Sequence, residues 1–168
     1  DEVTFINKDE LVGHVVTPES IDLEAFLGEI SSELLISHPN HTPITLITTP
    51  KGIQIQTDRT LMQKICQNLL SNALKYSADD SRVICLCTVS KDELKVNVSD
   101  EGIGITESFR DKLFAIFQRA DNVGTVRGTG LGMSIIKRAV DALGGTITYK
   151  STVGVGTTFT VTIPLDNA

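Results

Sequence analysis

Cysteine and histidine are both scarce, with three of each in 168 residues. Cys66 falls in a helical-looking stretch, while Cys85 and Cys87 alternate along a strand-like one and so face one side. An odd number without CxxC spacing excludes a disulfide framework and gives no zinc site, so the three read as small buried hydrophobes in a reducing compartment. His14, His38 and His41 lie in the first quarter, and His38 and His41 flank Pro39-Asn40, which reads as a solvated loop without nearby metal ligands. Basic residues are also short, fifteen against twenty-one acidic, and the charge of −6 disfavours nonspecific nucleic-acid binding through bulk positive charge. No apolar run approaches the roughly 20 residues that span a bilayer, and Asp1-Glu2-Val3-Thr4 lacks a signal-peptide pattern. A fragment with no nucleic-acid partner and no membrane contact is expected. With no internal repeat and no Pro- or Ser-rich linker, a chain 40% apolar and 21% charged reads as one cytoplasmic domain.

The remaining sequence has clear periodicities. After Ser20-Ile21-Asp22, the apolar residues Leu23, Phe26, Leu27, Ile30, Leu34 and Leu35 follow helical spacing, with Asp22 near the positive end of the dipole. Residues 43–49 and 53–57 are short and rich in Ile and Thr, and Pro50-Lys51-Gly52 between them suggests a hairpin. Asp58 can cap a helix reaching Tyr76, whose apolar stripe is Leu61, Ile65, Leu69 and Ala73. Two alternating strands over 82–89 and 93–99, a short helix over 107–116 and a helix over 131–143 follow. Gly144-Gly145 ends the last helix before a strand pair at 146–150 and 157–163. The order predicts an α/β two-layer sandwich, with helices on one face of a largely antiparallel sheet.

Three clusters can carry chemistry. Asn68 and Asn72, four residues apart, project from one helix face with Lys75 and Tyr76 a turn further on. Carboxamide oxygens suit a hard cation and a lysine suits a phosphate, but two asparagines on a solvated face fit the same spacing. Asp100-Glu101-Gly102-Ile103-Gly104-Ile105 follows a strand, so its glycines admit close backbone approach and Asp100 can accept from a ring amino group; a tight turn with a capping aspartate is the plainer reading. Arg127-Gly128-Thr129-Gly130-Leu131-Gly132-Met133-Ser134 opens into a helix, where exposed amides at the positive dipole end suit phosphate oxygens. Neither GxxxxGK[ST] nor a strand-linked GxGxxG occurs. Residues 118–126 have the length of a lid, bracketed by Phe114, Phe117, Arg119 and Arg127; the arginines suit phosphates, and a plain surface loop is the alternative.

In this order the clusters resemble the ATP-binding catalytic domain of sensor histidine kinases, in the superfamily of type II topoisomerases, heat-shock chaperones and mismatch-repair ATPases. The likeness covers about residues 20 to 165. Gln67-Asn68-Leu69-Leu70-Ser71-Asn72-Ala73-Leu74-Lys75-Tyr76 resembles the N box, and the Asp100 cluster the first glycine box. Phe114-Ala115-Ile116-Phe117 resembles the F box, Gly128-Thr129-Gly130-Leu131-Gly132 the second glycine box, and Gly154-Val155-Gly156-Thr157-Thr158-Phe159 the terminal Gly-Thr element. The resemblance implies that ATP and Mg²⁺ bind, with Asn72 holding the metal, Asn68 beside it and Lys75 near the phosphates. It implies that Tyr76, Ile105 and Phe117 flank the nucleotide, that Asp100 reads the adenine amino group with Gly102 and Gly104 admitting the base, and that Thr157 completes that end. Arg119 and Arg127 would act from the lid, with Arg119, Asn68 and Asn72 as the catalytic set, and Gly128, Thr129, Gly130, Leu131 and Gly132 would hold phosphate oxygens.

Hydrolysing members of the superfamily carry a glutamate four residues before the metal-binding asparagine, where this chain has Asn68, a carboxamide with no useful basicity. The expectation is a protein-histidine kinase fragment that keeps the γ-phosphate from water and hands it to a histidine elsewhere. A serine kinase of the anti-sigma type, a hydrolytic ATPase and a noncatalytic interaction domain are the alternatives. His14 is followed by Val15, with Pro18 four residues on, which does not match an acceptor histidine. Residues 1–19 are therefore expected to be a connector from a removed dimerisation and phosphoacceptor region, and 20–168 the catalytic domain. The partners implied are the phosphoacceptor histidine domain of the same protein and a response regulator. The fragment is expected to be monomeric and unable to autophosphorylate alone, with the full-length protein a homodimer that can be membrane-anchored.

Overall fold

The computed structural model describes residues 13–114 and 132–165. Strand β1 (Glu19–Asp22) leads into helix α1 (Leu23–Ser37), where Asp22, expected near the positive end of the dipole, also caps the helix by accepting the Ala25 amide at 3.1 Å. The stretch before the helix is thus a strand, not merely a lead-in. β1 pairs antiparallel with β3 (Gln54–Thr57) in a sheet of two strands.

The hairpin expected of residues 43–49 and 53–57 does not form. Strand β2 (Thr45–Thr49) instead runs parallel to β4 (Val83–Val89), from Thr45 opposite Ile84 to Thr49 opposite Thr88. The turn between β2 and β3 is held by α1: Glu24 Oε1 accepts from Thr48 Oγ1 at 2.6 Å and from Gly52 N at 3.2 Å, and Leu23 N donates to Ile53 O at 3.2 Å. Turn residues reverse the chain, but contacts far away in sequence choose each strand's partner.

Helix α2 (Arg59–Lys75) connects β3 to β4, the crossover that a parallel β2–β4 pair requires. Leu61, Met62, Ile65, Cys66, Leu69, Leu70, Ala73 and Leu74 form its buried face. It lies between α1 and α3 (Gly132–Ala142) and packs on β4 and β5 (Glu93–Asp100). With β6 (Thr146–Thr152) and β7 (Gly156–Pro164), the main sheet runs β2-β4-β5-β7-β6, antiparallel except at β2–β4. Cys85, Cys87, Leu94, Val96, Val98, Phe159, Val161 and Ile163 are buried on alternating positions of β4, β5 and β7. The opposite face carries polar cross-strand pairs, Thr160 Oγ1 donating to Asn97 Oδ1 at 2.6 Å and Ser99 Oγ 2.9 Å from Thr158 Oγ1. This is the predicted α/β two-layer sandwich. A 3-10 helix (Glu107–Lys112) takes the place of the short helix expected over 107–116, of which residues 115 and 116 lie outside the described residues.

Asp58 does more than cap α2. It is 3% exposed, and its carboxylate accepts from Leu61 N at 3.0 Å, Thr17 N at 2.8 Å and His14 Nε2 at 2.8 Å. Burial pushes its pKa up, but the hydrogen bonds from Thr17, His14 and Leu61 outweigh burial, so it titrates below the ordinary range. A carboxyl with a depressed folded pKa stabilises the fold above its unfolded value of about 4, and that contribution is lost as pH falls through the folded value. Asp58→Ala is expected to lower the unfolding free energy by roughly 2 kcal/mol at neutral pH, with Asp58→Asn, still a good cap, losing less. Urea titrations of the three proteins should show the deficit shrinking as pH drops below about 4; a deficit independent of pH would refute the charge-dependent part.

Candidate functional site

The polar ridge of α2 is fixed by its buried face. Asn68 and Asn72 are half-buried on that ridge, one turn apart. Asn68 Nδ2 donates to Lys64 O at 2.6 Å, and because a carbonyl can only accept, Asn68 Oδ1 must point away from it. Asn72 Nδ2 donates to Met133 Sδ at 3.4 Å, which frees its Oδ1 in the same way. Both carboxamides lie beside Gly132 at the start of α3: a Cβ built there would be 3.4 Å from Asn68 Oδ1, 3.6 Å from Asn72 Nδ2 and 3.7 Å from Asn72 Oδ1. No cluster of His, Cys, Asp and Glu able to hold a metal occurs among the described residues, so a cation here would rest on carboxamide oxygens and on its ligand. Lys75 is exposed at the end of α2, yet enough protein surrounds it for lost hydration to lower its pKa.

Asp100 closes β5. Its Oδ1 accepts from Gly102 N at 2.8 Å and Thr157 N at 3.3 Å, leaving Oδ2 without a donor among the described residues. Burial raises its pKa, and the two backbone bonds only partly offset that. The turn after it is clamped on both sides. A side chain at Gly102 would run into Tyr76 O, the atom that also accepts from Ile103 N at 3.0 Å. Gly104 sits at φ +76, and a Cβ there would lie 2.5 Å from Thr152 O. The sequence assigns these glycines to admitting a ligand; in the structure both are also required by backbone packed against backbone.

Tyr76 joins the two halves. Its amide donates to Asn72 O at 3.1 Å, ending α2, and its carbonyl holds the turn beyond Asp100. Thr157, 7% exposed, has its hydroxyl 2.8 Å from Ser151 Oγ, and Ile105 N donates to Ser151 Oγ at 2.8 Å. Ser151 was not singled out from the sequence; only the β6–β7 register, which sets it opposite Thr157, reveals it. His41 is a correction: it is 5% exposed, not solvated, with Nε2 3.1 Å from Ser77 Oγ. Asn68, Asn72, Lys75, Tyr76 and Gly132 thus share one end of the site, and Asp100, Gly102, Gly104, Ile105 and Thr157 the other. Phe117, Arg119, Arg127, Gly128, Thr129, Gly130 and Leu131, and with them the expected lid, lie outside the described residues.

Helix α2 with its two carboxamides, beside α3 and over a sheet with a clamped aspartate, makes up the candidate site of this α/β sandwich. Residues 57–167, more than half of the chain, match the family described as histidine kinase-, DNA gyrase B-, and HSP90-like ATPase, and the chain belongs to that family. Its curated relatives include sensor kinases. Sensor histidine kinase WalK of Bacillus subtilis is 34% identical over 150 residues, covering 87% of this chain and 24% of that protein. Sensor protein CiaH of Streptococcus pneumoniae is 39% identical over 113 residues, 66% of this chain and 26% of that protein. The chain spans about a quarter of the length of these relatives. Among solved structures, full-length ShkA in complex with AMPPNP matches with a TM-score of 0.82 at 21% identity, covering 98% of this chain and 35% of that one. The mycobacterial sensor histidine kinase MprB matches at 0.77 and 22% identity, over 88% of this chain and 98% of that one, a likeness of fold.

The clamp and the aspartate are separable in stability. A carboxyl whose folded pKa is raised carries a cost above that pKa, relieved as pH falls through it. Asp100→Asn keeps an oxygen for the Gly102 and Thr157 amides and removes the buried charge, so its unfolding free energy at neutral pH should equal or exceed that of the parent. Gly102→Ala, by contrast, must displace the Tyr76 carbonyl and should lose roughly 1–3 kcal/mol. Thermal unfolding in the absence of ligand measures both; a large loss for Asp100→Asn would show that the charge itself holds the turn.

Proposed function

We propose that this domain binds Mg-ATP and presents the γ-phosphate to a histidine on a separate phosphoacceptor domain, as the catalytic part of a two-component sensor kinase. The observation that carries this reading is the pair of carboxamides, Asn68 and Asn72, beside Gly132 at the start of α3, with Asp100 Oδ2 lacking a donor among the described residues. Hard cations take oxygen ligands, so Asn72 Oδ1 would hold Mg²⁺ with Asn68 beside it, and Lys75 would meet the phosphates. Mg²⁺ supplies charge neutralisation across the phosphates when bound. At the other end, Asp100 Oδ2 can accept from an exocyclic amino group, which suits adenine.

The same geometry disfavours hydrolysis. Asn68 occupies the position from which a carboxylate would activate water, and its amide is committed to Lys64 O. Without a general base, the γ-phosphate survives until a nucleophile arrives from a partner. Arg119 and Arg127 would add cationic charge, and the amides around Gly128, Thr129, Gly130, Leu131 and Gly132 would bind phosphate oxygens. The acceptor domain and a response regulator are the partners this role needs, and a dimer of the full-length protein would bring acceptor and catalytic domains together. No helix among the described residues is long and apolar enough to cross a membrane.

Mixing the chain with labelled ATP and a cognate acceptor-helix fragment should yield acid-labile phosphohistidine. Label on serine, or steady ATP turnover by the chain alone, would overturn the assignment. Asn72→Ala should abolish most of the Mg²⁺ dependence of ATP affinity, and Asp100→Asn should weaken ATP binding roughly 10- to 100-fold, the scale of a lost charge-assisted bond; calorimetry with and without Mg²⁺ reads both.

A further inference from the structure

We infer that His41, buried in the connection between α1 and β2, is a positioning residue for the base end of the nucleotide site, acting through Ser77 and Tyr76. The inference rests on the nucleotide-binding reading above and extends it to a residue remote in sequence from every motif. Burying an imidazole costs free energy unless its nitrogens are partnered, and an apolar residue would fill the same space more cheaply. Both nitrogens of His41 are partnered: Nδ1 lies 2.8 Å from Thr42 O, which makes it the donor, and Nε2 lies 3.1 Å from Ser77 Oγ. Ser77 Oγ is also 2.6 Å from Ala73 O, in the last turn of α2, and its single proton serves either that carbonyl or His41 Nε2. The neighbouring Thr42 adds to the grip, its amide and hydroxyl donating to Asp79 O at 2.7 and 3.0 Å.

Residues 77–79 are thus held by the His41 loop at the point where the chain leaves α2. Tyr76 is the residue immediately before. Its carbonyl bears on Gly102 and accepts from Ile103 N, and Gly102 N donates to Asp100 Oδ1. His41 therefore reaches Asp100 through an unbroken series of contacts: Ser77, the covalent link to Tyr76, the Gly102 turn, then the carboxylate. Loosening its first member lets Tyr76 and the turn shift, and the orientation of Asp100 Oδ2 shifts with them. The Tyr76 amide also bonds back to Asn72 O, but that bond closes the regular ladder of α2, so the phosphate end has support from the body of α2 and from α3 that does not run through His41.

The test compares Mg-ATP, measured by calorimetry, with Mg-tripolyphosphate, measured by its displacement of ATP. His41→Ala is expected to raise the Kd for ATP about tenfold at full binding stoichiometry while leaving tripolyphosphate unchanged. Ser77→Ala should give the same selective loss, the double variant should lose no more than either alone, and His41→Gln, with a donor and an acceptor, should recover part of the affinity. A purely structural role predicts a lower melting temperature and a smaller competent fraction with an unaltered Kd, and that result would overturn the inference. Equal losses for both ligands, or none, would overturn it too. If His41→Ala does not fold, Ser77→Ala carries the comparison by itself. Failure of the parent chain to bind either ligand would instead strike down the nucleotide reading, and the inference with it.

Discussion

The contact between the Tyr76 carbonyl and Gly102 governs the geometry around it. The carbonyl occupies the space a side chain at Gly102 would need, and it takes the Ile103 amide as well. One peptide unit therefore couples the end of α2 to the end of β5. Interiors this dense do not deform gradually, since a gap of even 0.5–1 Å forfeits a quarter to a half of the contact energy. Asn72 on one side and Asp100 on the other are consequently held at a set separation by backbone, without a side chain bridging them.

Helix α2 divides its duties between two faces. Emptying a buried position such as Leu69 is of the order of 2–5 kcal/mol, a large part of what a domain of this size has to spare. The half-buried carboxamides of Asn68 and Asn72 contribute far less to folding, because among the described residues their amides hold one bond each, to Lys64 O and to Met133 Sδ. The apolar face sets where the helix lies, and the polar ridge can then be specified by chemistry alone. Chemistry on the ridge can therefore change without moving the helix.

Local signals account for what the sequence discloses. The helices follow from apolar spacing, Asp58 caps α2 as expected, and Asp22, expected near the positive end of α1, caps it. The two candidate clusters on described residues fall at one site, since each marks the end of an element that the layers bring together. What remained hidden depends on pairing between distant segments. β1 is four residues long, too short for an alternation to register, and β2 has the same Ile and Thr content whether it pairs with β3 or with β4. His41 reads as a loop residue because its burial is decided by Ser77, 36 positions away. His14 and Thr17 meet Asp58 across more than forty residues, and nothing local to either segment announces the contact.

All three thiols, Cys66 on α2 and Cys85 and Cys87 on β4, are buried between the helical layer and the sheet. Burial pushes the Cys66 thiol well up, and Cys87 moves the same way, chiefly through its hydrogen bond with Cys85. Thiols shielded in this way are out of reach of oxidants and alkylating reagents. Each becomes a nucleophile only when α2 separates from β4, so the folded domain carries its own reporter of that event. Covalent labelling of the native thiols would count openings of the layer interface, and a single cysteine introduced at the surface could carry a probe against a silent background.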